Sequence, residues 1–392
     1  MSEIKELIER LCPDGVEYRK LGDITEILRG RRLTKRELTD KAEFPVYHGG
    51  IEPIGYYTQN NRPANTVMII NVGASAGTVG YCDKPFWSSD GCYCIGKSEL
   101  ISDRYLFYIL SKNQLAFVSK VRHAGIPTLD AKVIANFEIP VPPLEVQRKI
   151  VEVLDNFTEL EAELEAELEA RRKQYEYYRN ALLTFDKVGG AESNVKWMTL
   201  GEIGEMIKGS GIQKSDFVED GYPCIHYGQL HTFFGTFADK NKSFIKKDLY
   251  DRCKKAVYGD LIIASTSEDV EACCKATAWL GGEVAISGDA HIFHHNQNPK
   301  YIAYFFQTDD FAKQKRKYAS GVKVVRVSSD NLAKIVIPIP PLEEQKRIVA
   351  ILDRFEALTT DLQSGLPAEI EARRKQYEYY REQLLTFKRK TA

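Results

Sequence analysis

Three stretches carry residue types suited to catalysis or ligand binding. Gly91 to Ser98 reads GCYCIGKS, a formal match to the phosphate-binding loop in which backbone N–H groups cradle phosphates and a lysine reaches them. That loop needs a buried strand before it and a helix directly after it. Here Pro85, Trp87, Ser88 and Ser89 precede the match, and Cys92-Tyr93-Cys94-Ile95 itself alternates as a strand does. The corresponding Asp289-Ala290-His291-Ile292-Phe293 keeps the strand and loses the motif. Nucleotide binding through Lys97 is therefore not expected. His291, His294 and His295, with Cys273 and Cys274, are metal-ligating types, but their spacings match no common zinc pattern and strand alternation accounts for them. There is no glycine-rich cofactor loop and no Asn-Pro-Pro-aromatic motif. No cofactor, no metal and no catalytic residue are expected.

Clusters of cations remain. Arg29, Arg31, Arg32, Lys35 and Arg36 share one glycine-flanked stretch. Lys240, Lys242, Lys246 and Lys247 form a second, and Lys313, Lys315, Arg316, Lys317, Lys323 and Arg326 a third. His123, Thr128 and Lys132 flank the loop that corresponds to the third cluster in the first half of the chain. Phosphates are met by such flexible cations, and base edges in the major groove by Arg, Lys, Asn or Gln in bidentate reach. A solvated surface explains any one cluster alone. A basic loop at the same place in both halves favours double-stranded DNA. The candidates for DNA contact are Arg29, Arg31, Arg32, Lys35, His123 and Thr128 in the first half, and Lys240, Lys242, Arg316, Lys317, Lys323 and Arg326 in the second.

The elements that carry these residues are written twice. Ile139 to Phe157 reads IPVPPLEVQRKIVEVLDNF, and Ile337 to Phe355 reads IPIPPLEEQKRIVAILDRF. Glu169 to Arg179 and Glu371 to Arg381 are both EARRKQYEYYR. Such identity marks a duplication. The segment before each block matches its counterpart only faintly. Leu21-Gly22-Asp23-Ile24 answers Leu200-Gly201-Glu202-Ile203, Lys35 answers Lys214, Pro45 and His48 answer Pro223 and His226, and Tyr105 and Tyr108 answer Tyr301 and Tyr304. The order is variable, constant, variable, constant, with boundaries read at 1–138, 139–188, 189–336 and 337–392.

Each constant block opens with extended chain broken by Pro140, Pro142 and Pro143, or by Pro338, Pro340 and Pro341. Proline suits a strand end and a first helical turn, and Glu145, Glu343 and Glu344 suit the positive end of the helix dipole. A heptad pattern follows. Ile150, Phe157, Leu164, Arg171, Tyr178 and Phe185 form one row, and Leu154, Glu161, Leu168, Tyr175 and Leu182 the other. The second copy continues it through Ile348, Leu352, Phe355, Tyr377, Tyr380, Leu384 and Phe387, with four extra residues around Ser364-Gly365-Leu366-Pro367 that predict a break, Ser364 capping the restarted helix. Two such helices pair economically with each other, antiparallel, inside one molecule and about an internal twofold axis. A core helix in each separate domain is the alternative.

Both variable segments alternate short apolar runs with turn residues, as in Val67 to Val72 before Gly73 and Leu261 to Ala264 before Ser265. Helices are expected near Tyr105 to Val118 and near Lys300 to Tyr318. The fold class is α+β: two mixed α/β domains with curled sheets, joined by two long helices in an intramolecular antiparallel coiled coil.

Bulk properties agree. The 392 residues exceed one ordinary core, and 43% hydrophobic with 11% aromatic content belongs to a folded chain. A formal net charge of -1 averages acidic helices with basic patches and excludes nothing. Met1 to Leu11 is amphipathic, not a secretory signal, and no apolar run reaches membrane-span length. Eight scattered Cys residues read as reduced thiols, and the expected location is the cytoplasm.

IPxPPLxxQ followed by IVxxLD, repeated about 200 residues apart, resembles the conserved regions of Type I restriction–modification specificity subunits. Leu11-Cys12-Pro13-Asp14-Gly15-Val16-Glu17-Tyr18, followed by Leu21-Gly22, is similar to the start of many of them. The resemblance spans the whole chain. It implies that each variable segment is a target recognition domain reading half of a split, non-palindromic DNA sequence. It further implies that the conserved helices set the spacing and dock two modification subunits, which carry S-adenosylmethionine and methylate adenine, while separate restriction subunits carry the motor and nuclease. The competing reading is a non-enzymatic coiled-coil scaffold that binds proteins rather than DNA.

Overall fold

A computed structural model describes residues 2–185, 194–321, 323–361 and 364–390. The chain divides into two compact units, Met1–Glu165 with Glu369–Ala392, and Ala166–Ala368. The first unit is therefore discontinuous in sequence.

Most strands in the first unit fall in two sheets. The larger is antiparallel, in the order Ile27–Arg29, Cys92–Ile95, Thr66–Ile70, Val79–Cys82. All five residues of Thr66–Ile70 are buried, as expected for a central strand covered on both faces. In the smaller sheet Phe44–Tyr47 lies between Gly55–Tyr57 and, in parallel, Trp87–Ser88. Tyr18–Lys20 pairs separately with Glu138–Pro140.

The second unit repeats this plan. Leu261–Ala264 is its buried central strand, between Ala290–His295 and Ala276–Trp279. Tyr222–Ile225 runs parallel to Val284–Ile286, as Phe44–Tyr47 does to Trp87–Ser88. Lys196–Thr199 pairs with Val336–Ile339. Faint sequence matches become contacts: a Cβ on Gly22 would stand 3.0 Å from the Cβ of Ala135, and one on Gly201 3.2 Å from that of Ala333.

Each expected domain helix is two shorter ones. Asp103–Lys112 ends at Asn113, whose side-chain amide donates to the Ile109 carbonyl, and Gln114–Val118 follows. Pro299–Phe305 ends before Thr308, whose hydroxyl accepts the Phe311 N–H and so starts Asp309–Arg316.

Leu144–Leu183 is one continuous helix of 40 residues, beginning one residue after Pro143. Its counterpart is interrupted, Leu342–Thr360 and Leu366–Leu384, where the four extra residues fall. Ser364 does not cap the restarted helix. Its hydroxyl turns back to the Asp361 carboxylate, and the Ala368 N–H goes to the Gly365 carbonyl.

Helix pairing appears inside each unit. In the first, Phe157 lies 5.3 Å from Tyr380 and 6.4 Å from Tyr377, and Arg374 pairs with Glu161 and Glu165. Rising numbers on one helix meet falling numbers on the other, so the pair is antiparallel. In the second, Tyr178 stacks on Phe355 at 5.4 Å. Phe157 and Phe355 are equivalent in the repeat, as are Tyr178 and Tyr380, so the same pair of residues meets in each unit. Leu154, Leu164, Tyr175, Leu352 and Leu384 are buried, and Leu168 and Leu182 half-buried. Glu161, a polar interruption of the seam, is the residue that meets Arg374, whereas Arg171 bonds along its own helix to Gln174 and Glu167.

Candidate nucleic-acid interface

In the first unit the Arg29–Arg31 backbone is pinned to the smaller sheet. Arg31 N–H donates to the Ser88 carbonyl at 2.9 Å, Trp87 Nε1 to the Arg31 carbonyl at 2.7 Å, and Arg62 Nη2 to the Arg29 carbonyl at 2.8 Å. Gly30 permits this approach, because a Cβ there would stand 1.8 Å from the Ser89 carbonyl oxygen. Arg29, Arg31, Arg32, Lys35 and Arg36 are exposed, and a capping box of Thr34 with Glu37 holds the 3-10 turn carrying Lys35 and Arg36. The second unit has the same joint. Ser210 N–H meets the Ile286 carbonyl at 2.8 Å, Gly209 stands where a Cβ would be 2.2 Å from the Ser287 oxygen, and Gln213 forms a capping box with Asp216 around Lys214. Lys208 and Ser210 thus occupy the places of Arg29 and Arg31.

A hairpin continues each rim. Arg122 and Thr128 exchange backbone hydrogen bonds at 2.9 and 3.0 Å, and Thr128 also bridges Val72. Leu129 N–H then donates to the Asn71 carbonyl, just past the central strand. In the second unit Ser320 and Arg326 exchange the same two bonds at 3.0 and 2.8 Å, Arg326 pairs with Thr266, and Val327 N–H meets the Ser265 carbonyl. His123, Lys323 and Arg326 are exposed and Thr128 half-buried, its hydroxyl donating to the Ile126 carbonyl. In both hairpins the bridged pair lies six positions apart and is followed by a residue whose N–H bonds to the segment leaving the central strand.

Beside the second hairpin lies a cleft of about 690 Å³ lined by Lys214, His226, Tyr227, Gln229, His231, Glu268 and Val324, among others. Burial, then the nearby Lys214 charge, holds His226 below the ordinary imidazole value, so it lines the cleft as a neutral ring. Lys240 and Lys242 lie exposed in the turn between Phe237–Ala238 and Ser243–Ile245, Lys242 4.3 Å above the Phe233 ring. Lys246 and Lys247 begin a different short helix, and Lys247 pairs with Asp251. Arg316 forks onto Glu271 at 2.7 and 3.1 Å, and Lys317 is exposed at the end of the same helix. Lys315 is the one member withdrawn from the surface: 4% exposed, it donates to the carbonyls of Glu271 and Cys273. Lys132, exposed, follows the first hairpin, and Lys313 is exposed on Asp309–Arg316.

A clamp that the sequence did not announce fixes each α/β domain to its helix. Buried Gln147 accepts the Ser102 N–H at 2.8 Å and donates to the carbonyls of Leu100 and Pro142. Gln345 accepts the Asn298 N–H at 2.9 Å and donates to the Pro340 carbonyl. Tyr105 and Tyr301 donate to the carbonyls of Pro140 and Pro338. Tyr108 and Tyr304 donate to Asp155 and Asp353, which also pair with Arg104 and Lys300. Burial, first, and these carboxylates drive both phenols well above their ordinary pKa, so they remain donors. The available signal was the retention of PPLxxQ, LD and Tyr-x-x-Tyr in both copies.

Lys97 is committed to Asp103 and the Asn65 carbonyl, and the helix that follows Ser98 starts only at Asp103, so Gly91–Ser98 does not form a phosphate loop. His291, His294 and His295 lie on one strand. His294 meets Asp260, and burial lowers His295 to about 4. Among the described residues no three metal-ligating side chains are grouped to hold an ion, and no helix is long and apolar enough to cross a membrane.

Residues 13–170 and 192–372 match the family described as Type I restriction modification DNA specificity domain. The chain is 36% identical to a type I restriction enzyme specificity subunit of Escherichia coli, over 99% of this chain and 98% of that one. It is 31% identical to a putative one of Haemophilus influenzae, over 99% and 100%. A crystal structure of a type I S subunit from M. genitalium aligns with a TM-score of 0.59 at 16% identity, covering 95% and 96% of the two chains. A chain from a structural study of type I restriction–modification assembly aligns with 0.62 at 19%, covering 95% and 97%. With duplicated domains, paired helices and this match over most of its length, the chain belongs to the type I restriction–modification DNA specificity subunits, a non-catalytic family.

Proposed function

We propose that the chain reads an asymmetric, bipartite sequence of double-stranded DNA, one half with residues 1–138 and the other with 189–336. Residues 139–188 and 337–392 join the readers and dock two modification subunits, adenine methyltransferases, and with them the restriction subunits, in the cytoplasm. One observation carries this reading: both units build the same rim, a pinned glycine joint and a bridged hairpin, and place different side chains on it. A shared frame with divergent surfaces is what two readers of unequal half-sites need. Arg29, Arg31, Arg32, Lys35, His123 and Thr128 supply contacts in the first, and Lys240, Lys242, Arg316, Lys317, Lys323 and Arg326 in the second, with phosphates fixing position and base edges fixing sequence.

Genome-wide adenine methylation is mapped with and without the chain. The expected outcome is one split sequence whose methylation vanishes with it, and whose second half alone changes when residues 200–336 are exchanged for those of a relative. Methylation that is the same in both strains would end the proposal.

A further inference from the structure

The hairpin tips hold residues that charge and hydrogen bonding do not explain. Ile126 is 70% exposed and Val324 48% exposed, each four positions beyond the residue that opens its hairpin bridge and two before the one that closes it. A lone exposed aliphatic residue is unremarked on most surfaces. Here it recurs at one place in two loops, RHAGIPT and SGVKVVR, that otherwise share no residue position by position. Both are β-branched, hence stiff at χ1, and both stand beside cationic or hydrogen-bonding neighbours: His123 and Thr128, or Lys323 and Arg326. Backbone bonds anchor each hairpin to the segment leaving the buried central strand, so the tip is carried on rigid support.

Resting on the DNA-reading function above, we propose that Ile126 and Val324 are specificity-determining residues that each pack against the 5-methyl group of a thymine in the major groove. A two-stranded ribbon fits that groove, and thymine alone presents a methyl on its floor. An aliphatic tip cannot hydrogen-bond to any base edge; its selective partner is that methyl. Neighbouring polar residues contact adjoining bases and phosphates.

The test uses the full chain in complex with its modification subunits, on the mapped target, with each thymine replaced singly by deoxyuridine. Wild type should lose about four-fold in affinity at one thymine per half-site, the worth of one buried methyl. Ile126→Ala should remove the sensitivity in the first half-site and leave the second intact; Val324→Ala should do the reverse. Both positions are exposed, and unchanged melting temperatures will confirm that the variants fold. A half-site without thymine, sensitivity that persists in the alanine variants, or equal loss on every sequence would overturn the assignment while leaving DNA reading in place. Binding with no sequence preference at all would instead overturn the underlying function, and this inference with it.

Discussion

Gly30 and Gly209 sit where the chain passes too close to a neighbouring carbonyl for any side chain. At 1.8 Å from the Ser89 oxygen, a methyl on residue 30 forces the Arg29–Arg31 backbone away from Ser88 and Trp87. Gly30→Ala should cost about 1–3 kcal/mol in local strain and displace the cations on either side. The expected result is at least ten-fold weaker methylation at the target, relaxed at bases of the first half-site only, read by methylation of a library randomised at each position. The glycine flanking the basic cluster is visible in the sequence, but the carbonyl it accommodates lies nearly sixty residues further on, and spacing alone cannot reveal it. The cations themselves were legible as clusters. Their division was not: Lys315 and Arg316 are adjacent and alike in composition, yet one is buried under two carbonyls and the other pairs at the surface.

Between elements, a single amide side chain makes several of the joining bonds. Gln147 satisfies one N–H and two carbonyls at the junction of the α/β domain with its helix, with no exposure of its own. Gln147→Ala leaves these groups buried without partners, at a cost of about 2–3 kcal/mol. A differential scan should show the transition of the first unit lowered by roughly 5–10 °C, with that of the second unit unmoved; Gln345→Ala should reverse the pattern. A glutamine in the first turn of a charged helix reads as solvated, which is why its role escaped the sequence, whereas the heptad rows of the same helix predicted their own burial from Leu154 to Tyr175. The break at the four extra residues was equally plain, being written in Gly365 and Pro367. Ser364 does not cap because Gly365, not Ser364, stands directly before the first helical residue, Leu366; the Ser364 hydroxyl donates to Asp361, one turn back. The sequence placed corresponding loops in the two halves but could not show that both are bridged hairpins. Their likeness lies in backbone bridges, which leave no residue signature.

At the level of the whole molecule, the first unit borrows Glu369–Ala392 from the far end of the chain to cover Phe157 and Glu161. The same EARRKQYEYYR lies within Leu144–Leu183 itself. A polypeptide cut after residue 188 therefore lacks the distant strand of its seam but still owns an identical copy. Two such half-length chains can each lend the other what is missing, Arg172 and Tyr178 of one meeting Glu161 and Phe157 of its twin. The fragment should sediment as a homodimer, and with modification subunits it should mark an inverted repeat of the first half-site; a folded monomer would contradict this. Each half thus holds both partners of the seam, so on the proposed function loss of one half is expected to change which sequence is read without abolishing reading.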